Sequence, residues 1–522
     1  MQLTDMQQLV PNMNRTKEFS LTTLIIMARS TALISFLLLI FCTQLNAQFA
    51  DSLQVEIGTI ATAASKEYQP LWLIANKYGT ISDRKSDLSS HFSISNMHRF
   101  KGAQKSDSAN KPLYISYGLS AYNNNHFNET FITEAYLKTG YKKLEFRAGR
   151  FLETTGEMNA EVSSGSLGIS GNALPIPKIG FAVTDYIPVP FTGSFLQFRG
   201  QISHGWFGTD RYMKDAFYHE KIFYMQMGKK KFKLYGGVQH FVEWGGRRGS
   251  IQLEKSWKGF LDVLFVKASD DGSVGTSTNG ILPNRPGDQR GLVEAGFKFD
   301  AKTFLLHGYQ QTLFETGRDV DIRNDSRIIG LQLSSKNSTS IIQNITAELL
   351  FTKHMLDFVP SFDRQSFYNN GYYKTGWEYK NNIIGTPLFT NRVRASKYFS
   401  SVRPYNWDAP DNTIIGNTNI INNRVVDFHV GILLRFSKVL DSKTMVTYTN
   451  NFGTYDPTLP FAPNKKQLFT MQQLQYRSPV PGLIITAAIG LDAGDLSNNT
   501  GFLLGVKKQF NHLTKAKARA NR

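Results

Sequence analysis

From about residue 110 to residue 510 the chain alternates apolar and polar residues with a period of two, and this pattern limits its fold more than any motif. Segment 426–436 is the clearest case. Val426, Phe428, Val430, Ile432, Leu434 and Phe436 fall on one face, and Asp427, His429, Gly431, Leu433 and Arg435 on the other. Successive side chains of a strand point to opposite faces, so such a strand has one oily and one polar side. The same alternation places Leu196, Phe198, Ile202 and Trp206 opposite Gln197, Arg199, Gln201 and Ser203, and recurs over 232–239, 345–351, 483–491 and 502–510. Turn residues at 228–231, 335–338 and 492–500 separate successive segments as hairpins.

A soluble sandwich or propeller would hide its oily face in a core; a transmembrane barrel would turn it to lipid around a polar lumen. Three features favour the barrel. The segments are long, with aromatics near their ends (Phe195, Trp206, Phe436, Phe502, Phe510) where membrane interfaces lie. The polar faces carry Arg199, Lys233, Asp427 and Arg435, which suit a wet interior. The amino end reads as an export signal: Arg15, Lys17 and Arg29 precede the apolar run 33–41, and Ala47 marks the cleavage point. A closed barrel also satisfies every backbone group in lipid without a free edge. At ~10 residues per spanning strand plus connections, roughly 400 residues allow about 16–18 strands. No repeat of fixed period suggests a propeller.

The expected organisation is therefore a signal peptide over 1–47, an N-terminal element over 48–109, an all-β antiparallel transmembrane barrel over 110–510, and a basic tail over 511–522. The N-terminal element is Ala-rich and weakly helical up to Ala75, then polar and Ser-rich from Asp83. It is expected to be helical, on the periplasmic side or packed as a plug. The only cysteine, Cys42, lies in the signal, so the exported chain carries no thiol. The formal charge of +18 would suggest nucleic acid in a cytosolic protein. In an exported barrel, Lys and Arg instead line the lumen, meet lipopolysaccharide phosphates, or face acidic polysaccharide. The mean hydropathy of −0.28 fits a wall in which only every second strand residue touches lipid.

Catalytic motifs are missing. Gly228-Lys229 is not a phosphate loop, 168–171 is one residue short of a nucleophile elbow, and His219-Glu220 lacks the second His of a zinc protease. Asp319, Asp321 and Asp325 lack the loop glycine of a calcium site and read as a solvated loop. No metal, cofactor or enzymatic activity is expected.

Several segments together resemble the Wzi-type capsule-assembly outer-membrane proteins. They are Gln69-Pro70-Leu71-Trp72-Leu73-Ile74-Ala75-Asn76-Lys77-Tyr78-Gly79-Thr80, Leu144-Glu145-Phe146-Arg147-Ala148-Gly149-Arg150, and His204-Gly205-Trp206. The most specific is Ser170-Gly171-Asn172-Ala173-Leu174-Pro175-Ile176-Pro177-Lys178-Ile179. The segments 368–373 and 384–388 also fit. The resemblance covers most of 50–510 and implies a large outer-membrane barrel of about 18 strands. It further implies binding of capsular or other surface polysaccharide, a lectin-like role in capsule assembly or attachment, and contact with polysaccharide export machinery. One departure is the tail: such barrels end on an aromatic residue, and Phe510 is followed here by Asn511 and a basic stretch.

Sugars need aromatic faces for their C–H surfaces and planar polar groups for their hydroxyls; acidic sugars add a need for Arg or Lys. Two stretches are dense in such groups. The first supplies Tyr368, Asn370, Tyr372, Tyr373 and Trp377, and the second Arg392, Arg394, Arg403 and Trp407. These nine are the candidate polysaccharide-binding residues. Pro175, Ile176 and Pro177 with Asn172 read as an in-folded turn, and Trp72 and Asn76 as anchors of the N-terminal element. Two other functions fit the same barrel: a porin or substrate-specific transporter, and, more remotely, a lipid hydrolase of the outer membrane.

Overall fold

The computed structural model describes residues 52–511 apart from 101–112, 268–273, 278–279, 284–286, 316–318, 322, 356–365, 411–417 and 456–458. The stretch read as an export signal and almost all of the basic tail lie outside the described residues.

Eighteen antiparallel strands form one closed sheet. The first nine are β1 (Gln54–Ala64), β2 (Ser86–Arg99), β3 (Tyr114–Asn124), β4 (Glu129–Tyr141), β5 (Leu144–Arg150), β6 (Lys178–Pro188), β7 (Leu196–Gly208), β8 (Ala216–Lys229) and β9 (Phe232–Trp244). The rest are β10 (Asp288–Asp300), β11 (Phe304–Phe314), β12 (Arg327–Ser335), β13 (Ile342–Phe351), β14 (Val425–Arg435), β15 (Leu440–Asn451), β16 (Lys465–Arg477), β17 (Leu483–Gly494) and β18 (Asn499–Asn511). Each pairs with its sequence neighbours. The barrel closes where β18 runs beside β1, from Gln54 opposite Asn511 to Ala64 opposite Gly501.

The wall is inverted relative to a soluble protein. Phe428, Leu349, Leu331, Phe502 and Leu504 are exposed on its outside, while Asp427, His429, Glu348, Gln332 and Glu294 are buried inside. This is the alternation of 426–436 realised in space: Phe428 faces outward and its neighbours Asp427 and His429 face the lumen. No helix among the described residues is long and apolar enough to cross a membrane.

Separate from this agreement is the N-terminal region. The wall begins at Gln54 rather than near residue 110, because β1 and β2 occupy most of the span expected to be a distinct element. Their period-two signal is faint for a physical reason. Beyond Val55 and Ile57, the outward face of β1 is Thr59, Ala61 and Ala63, and that of β2 relies on Leu88, Phe92 and Ile94 among serines. Small residues at outward positions imitate an Ala-rich helix or a polar linker. Only the connection 65–85 is plug-like, and its helix α1 (Leu71–Ile74) is a single turn.

Connection lengths divide by rim. One rim carries 65–85, 151–177, 245–287 and 352–424; the other carries the tight turns 142–143, 230–231 and 301–303 and both ends of the wall. Three of the long connections fold into the barrel and build a core there. Trp72, Leu73, Leu167, Phe367, Tyr368, Trp377, Phe389 and Phe461 belong to one buried apolar cluster.

The connection 151–177 lies along the inner wall of five successive strands, each supplying one polar side chain to its backbone. Backbone N–H groups of Glu157, Asn159, Leu167 and Ser164 donate to Glu294 (3.0 Å), Gln332 (3.2 Å), Gln311 (2.9 Å) and Glu348 (2.6 Å). From the fifth strand, His429 donates through Nε2 to the Val162 carbonyl at 2.9 Å. Its Nδ1 then accepts from the Thr447 hydroxyl at 2.7 Å, and Thr447 accepts the Trp72 indole N–H at 3.0 Å. This chain of donors ties 65–85, β14, β15 and 151–177 together. Gly431 permits the close approach, since a Cβ there would run into the Val162 carbonyl.

Charge reinforces the docking. Glu153 sits between Arg147 (3.0 Å) and Lys178, and Lys178 also meets Glu220 at 2.7 Å. Glu157 meets Arg199 at 2.5 Å and Lys298. Burial pushes the Glu153 carboxyl up, but Lys178 and Arg147 outweigh it and hold it at about 2. Glu157 is likewise held below the usual carboxylate range, with burial opposed by Arg199 and Lys298. Four of the cations anticipated for the lumen, Arg147, Lys178, Arg199 and Lys298, are thus engaged in locking an acidic connection to the wall.

Candidate functional site

The connection 352–424 comes down from the rim and interlocks with 151–177. Its Tyr368 hydroxyl donates to the Leu167 carbonyl (2.5 Å) and its Trp377 indole to the Gly168 carbonyl (2.8 Å). Ser170 N–H donates to the Ile384 carbonyl at 3.0 Å, and Asn172 Nδ2 to the Ile383 carbonyl at 2.9 Å. The segment singled out by its Asn172 and two prolines is therefore an in-folded structural loop.

At the rim, the connection 65–85, the turn 125–128 and the hairpin 378–383 leave a groove of about 830 Å³. Its lining is rich in amides: Asn124, Asn125, Asn172, Asn381, Asn382 and Asn391. Tight turns place several of them. Lys380 and Asn381 both adopt positive φ at the tip of the hairpin, and Asn125 and His126 do so in 125–128. Asn391 caps the helix α2 (Arg392–Tyr398), accepting the Arg394 N–H at 2.9 Å, and its amide N–H donates to Glu378 at 2.7 Å.

Most charged groups in the groove are paired. Arg84 meets Glu129 at 3.1 Å and Lys85 meets Glu67 at 2.9 Å, all four well exposed to solvent. Deeper in, Arg394 Nη1 donates to both Asp83 carboxylate oxygens at 2.9 Å and its Nη2 to the Gln69 carbonyl at 3.0 Å. Such a site offers amide donors and acceptors with charges of both signs, which is chemistry for a hydroxylated ligand rather than for a lone anion.

A second rim feature is an aromatic–cation cluster. Arg392 lies 4.4 Å from the Tyr405 ring centre and Tyr405 lies 5.3 Å from Trp407. Trp407 is 6.3 Å from Tyr212, which Arg248 approaches at 4.6 Å and Lys374 at 5.2 Å. Arg248 also donates to the Trp407 and Ala409 carbonyls, the latter at 2.6 Å.

The nine residues expected to meet sugar divide sharply. Tyr368, Tyr373 and Trp377 are buried core residues at 1%, 3% and 1% exposure, with polar atoms bonded to backbone carbonyls. Arg394 lines the groove but is held by Asp83 and Gln69. Asn370 is occupied in a turn, accepting from the N–H groups of Tyr372 and Tyr373 at 2.8 and 3.0 Å. Tyr372 and Arg403 are exposed, and Arg392 and Trp407 belong to the rim cluster. The groove asparagines were not among the nine. Their signal in the sequence is the clustering Asn123-Asn124-Asn125 and Asn381-Asn382, which by itself reads only as turns. The carboxylates of Asp319, Asp321 and Asp325 go to separate partners: the Glu315 N–H, Arg323 and His354.

Comparison with known proteins adds a family and a fold. Residues 55–401 match the family model described as capsule assembly protein Wzi. No curated protein matches the sequence. Among solved structures, the chain is similar to Wzi of Escherichia coli, described as an outer membrane protein involved in group 1 capsule assembly and a carbohydrate-binding β-barrel. The TM-score is 0.54 at 11% identity, covering 90% of this chain and 86% of that one. It is also similar to OccK5 (OpdH) of Pseudomonas aeruginosa, with a TM-score of 0.45, 7% identity, and coverage of 88% and 98%.

Proposed function

Because this chain belongs to the Wzi capsule-assembly family and folds as an outer-membrane barrel, we propose that it binds surface polysaccharide and helps assemble or retain capsule. The observation that carries the reading is the amide-lined groove at the long-connection rim. Outer-membrane barrels have short periplasmic turns and longer extracellular loops, which puts that rim on the cell exterior. A polysaccharide chain leaving the cell would meet Asn125, Asn381 and Asn382 there, with their amides pairing to vicinal hydroxyls. The neighbouring Tyr405, Trp407 and Arg392 offer ring faces and positive charge to an acidic repeat unit. The role is that of a lectin, without chemistry on the sugar.

The test is binding of the host's own purified capsule to the protein in detergent, by calorimetry. A hydrogen bond to a ligand hydroxyl contributes about 1 kcal/mol, so Asn125→Ala with Asn382→Ala is expected to weaken binding by roughly tenfold or more. Undetectable binding by the intact protein, or a deletion strain with normal surface capsule, would count against the proposal. A transporter role is disfavoured by the interlocked connections 151–177 and 352–424. Large, steady conductance of the purified barrel in a planar bilayer would reverse that judgement.

A further inference from the structure

The connection 245–287 behaves differently from the other long connections. Its segment 257–264 forms a helix that lies against the outside of the wall. The wall beneath it is unusual. On β7, Ile202 and Trp206 face outward, and so does His204 between them. His204 pairs with His219 on β8, and Lys221 pairs with His240 on β9, all on the same outward face. A lipid-facing wall with three imidazoles and an ammonium would be costly at this depth.

The helix covers His204, His219 and Lys221. Phe260 packs 5.4 Å from the His204 ring and 5.6 Å from the His219 ring, and Val263 is fully buried against Val242 and Trp244. Lys221 donates to the carbonyls of Val263 (3.2 Å) and Leu264 (2.8 Å), neutralising the carbonyl end of the helix. Ser256 caps the other end, accepting the Gly259 N–H at 3.3 Å.

The stripe of the helix beside the wall is equally apolar. Trp257, Leu261 and Phe265 recur at spacings of four, and Trp257 and Phe265 are 72% and 63% exposed. The adjoining stripe is Lys258 and Asp262, paired at 3.3 Å. Two large aromatics exposed on one stripe need an apolar environment, and the ion-paired stripe needs water. The wall next to the helix supplies the missing surface by continuity: Trp206, Phe223 and Val238 are exposed there as part of the lipid-facing belt.

We propose that helix 257–264 is an interfacial membrane anchor. It seats Trp257 and Phe265 in the acyl layer of the outer leaflet and keeps Lys258 and Asp262 at its aqueous edge. The occupant of this face is bilayer lipid rather than a second protein. The same connection carries Arg248, which holds Trp407 and Ala409, so the anchor fixes the rim cluster relative to the membrane surface.

The test uses the full chain in a Cys42→Ser background, reconstituted into phosphatidylcholine vesicles. Nitroxide labels go at Trp257→Cys, Phe265→Cys, Phe223→Cys on the bare wall, and Phe191→Cys, a fully exposed position in the turn 189–195. Heat-modifiable gel mobility confirms the folded barrel for each. Labels at 257 and 265 are expected to collide with oxygen rather than a water-soluble nickel chelate, with an oxygen-to-nickel ratio severalfold above that at 191 and close to that at 223. A ratio equal to that at 191 would overturn the proposal. So would shielding from both reagents, which would mean that protein covers the helix.

Discussion

The indole N–H of Trp377 donates to the carbonyl of Gly168, 209 positions away in sequence, at 2.8 Å, joining two connections. Trp377 is 1% exposed and also packs against Phe241 and Tyr218 of the wall. One side chain thereby links the in-folded connections to each other and to the barrel. Trp377→Ala should destabilise the protein by about 3–5 kcal/mol. It should also raise conductance in planar bilayers as 151–177 and 352–424 separate. Urea unfolding and single-channel recording check the two effects, and an unchanged variant in both would refute the linkage.

Arg394 and Asp83 form a partly buried pair between α2 and the connection 65–85. Removing Asp83 leaves Arg394 with only the more distant Asp492 carboxylate, 4.0 Å away, so Asp83→Ala should cost about 1.5–3 kcal/mol. A double-mutant cycle with Arg394→Ala should return a coupling above about 1 kcal/mol. Near-additive losses would show that the pair acts only through separate contacts.

The docking of 151–177 should resist mild acid. Glu153 is held at about 2, below its usual value of 4.5, so its contribution is fully present above about pH 4.5 and lost as pH falls towards 2. Protease cleavage within 151–177 should therefore be absent at pH 5 and appear only near pH 3 and below. Lys178→Met should move the onset to higher pH. Cleavage of the intact protein at pH 5 would contradict the ion-pair lock.

Of the residues whose composition suggested sugar contact, only those left exposed or half-buried at the rim, such as Trp407, should affect binding without affecting folding. Trp407→Ala is expected to weaken capsule binding by about fivefold, from loss of one aromatic stacking contact of about 1 kcal/mol. Tyr373→Phe removes the hydroxyl that donates to the Gly245 carbonyl at 3.1 Å, and should lower stability by about 1 kcal/mol with affinity unchanged. Calorimetry and urea unfolding on the two variants separate these roles, and the opposite assignment would reverse them.

Sequence alone determined the wall. Alternation is a local property, so Phe428 and its neighbours Asp427 and His429 could be given opposite faces without knowing what lay beside them. It faltered where outward positions are small, as at Thr59, Ala61 and Ala63, because lipid-facing alanine and threonine leave no contrast with the polar face. Tertiary structure alone decided the fate of the connections. Tyr368, Trp377 and Arg403 look alike in composition, as aromatic or basic residues in one long loop, yet the first two fill the core and the third is exposed. Which way a loop turns depends on backbone N–H groups finding Glu294, Gln311, Gln332 and Glu348 on four different strands, and those partners come together only when the barrel closes.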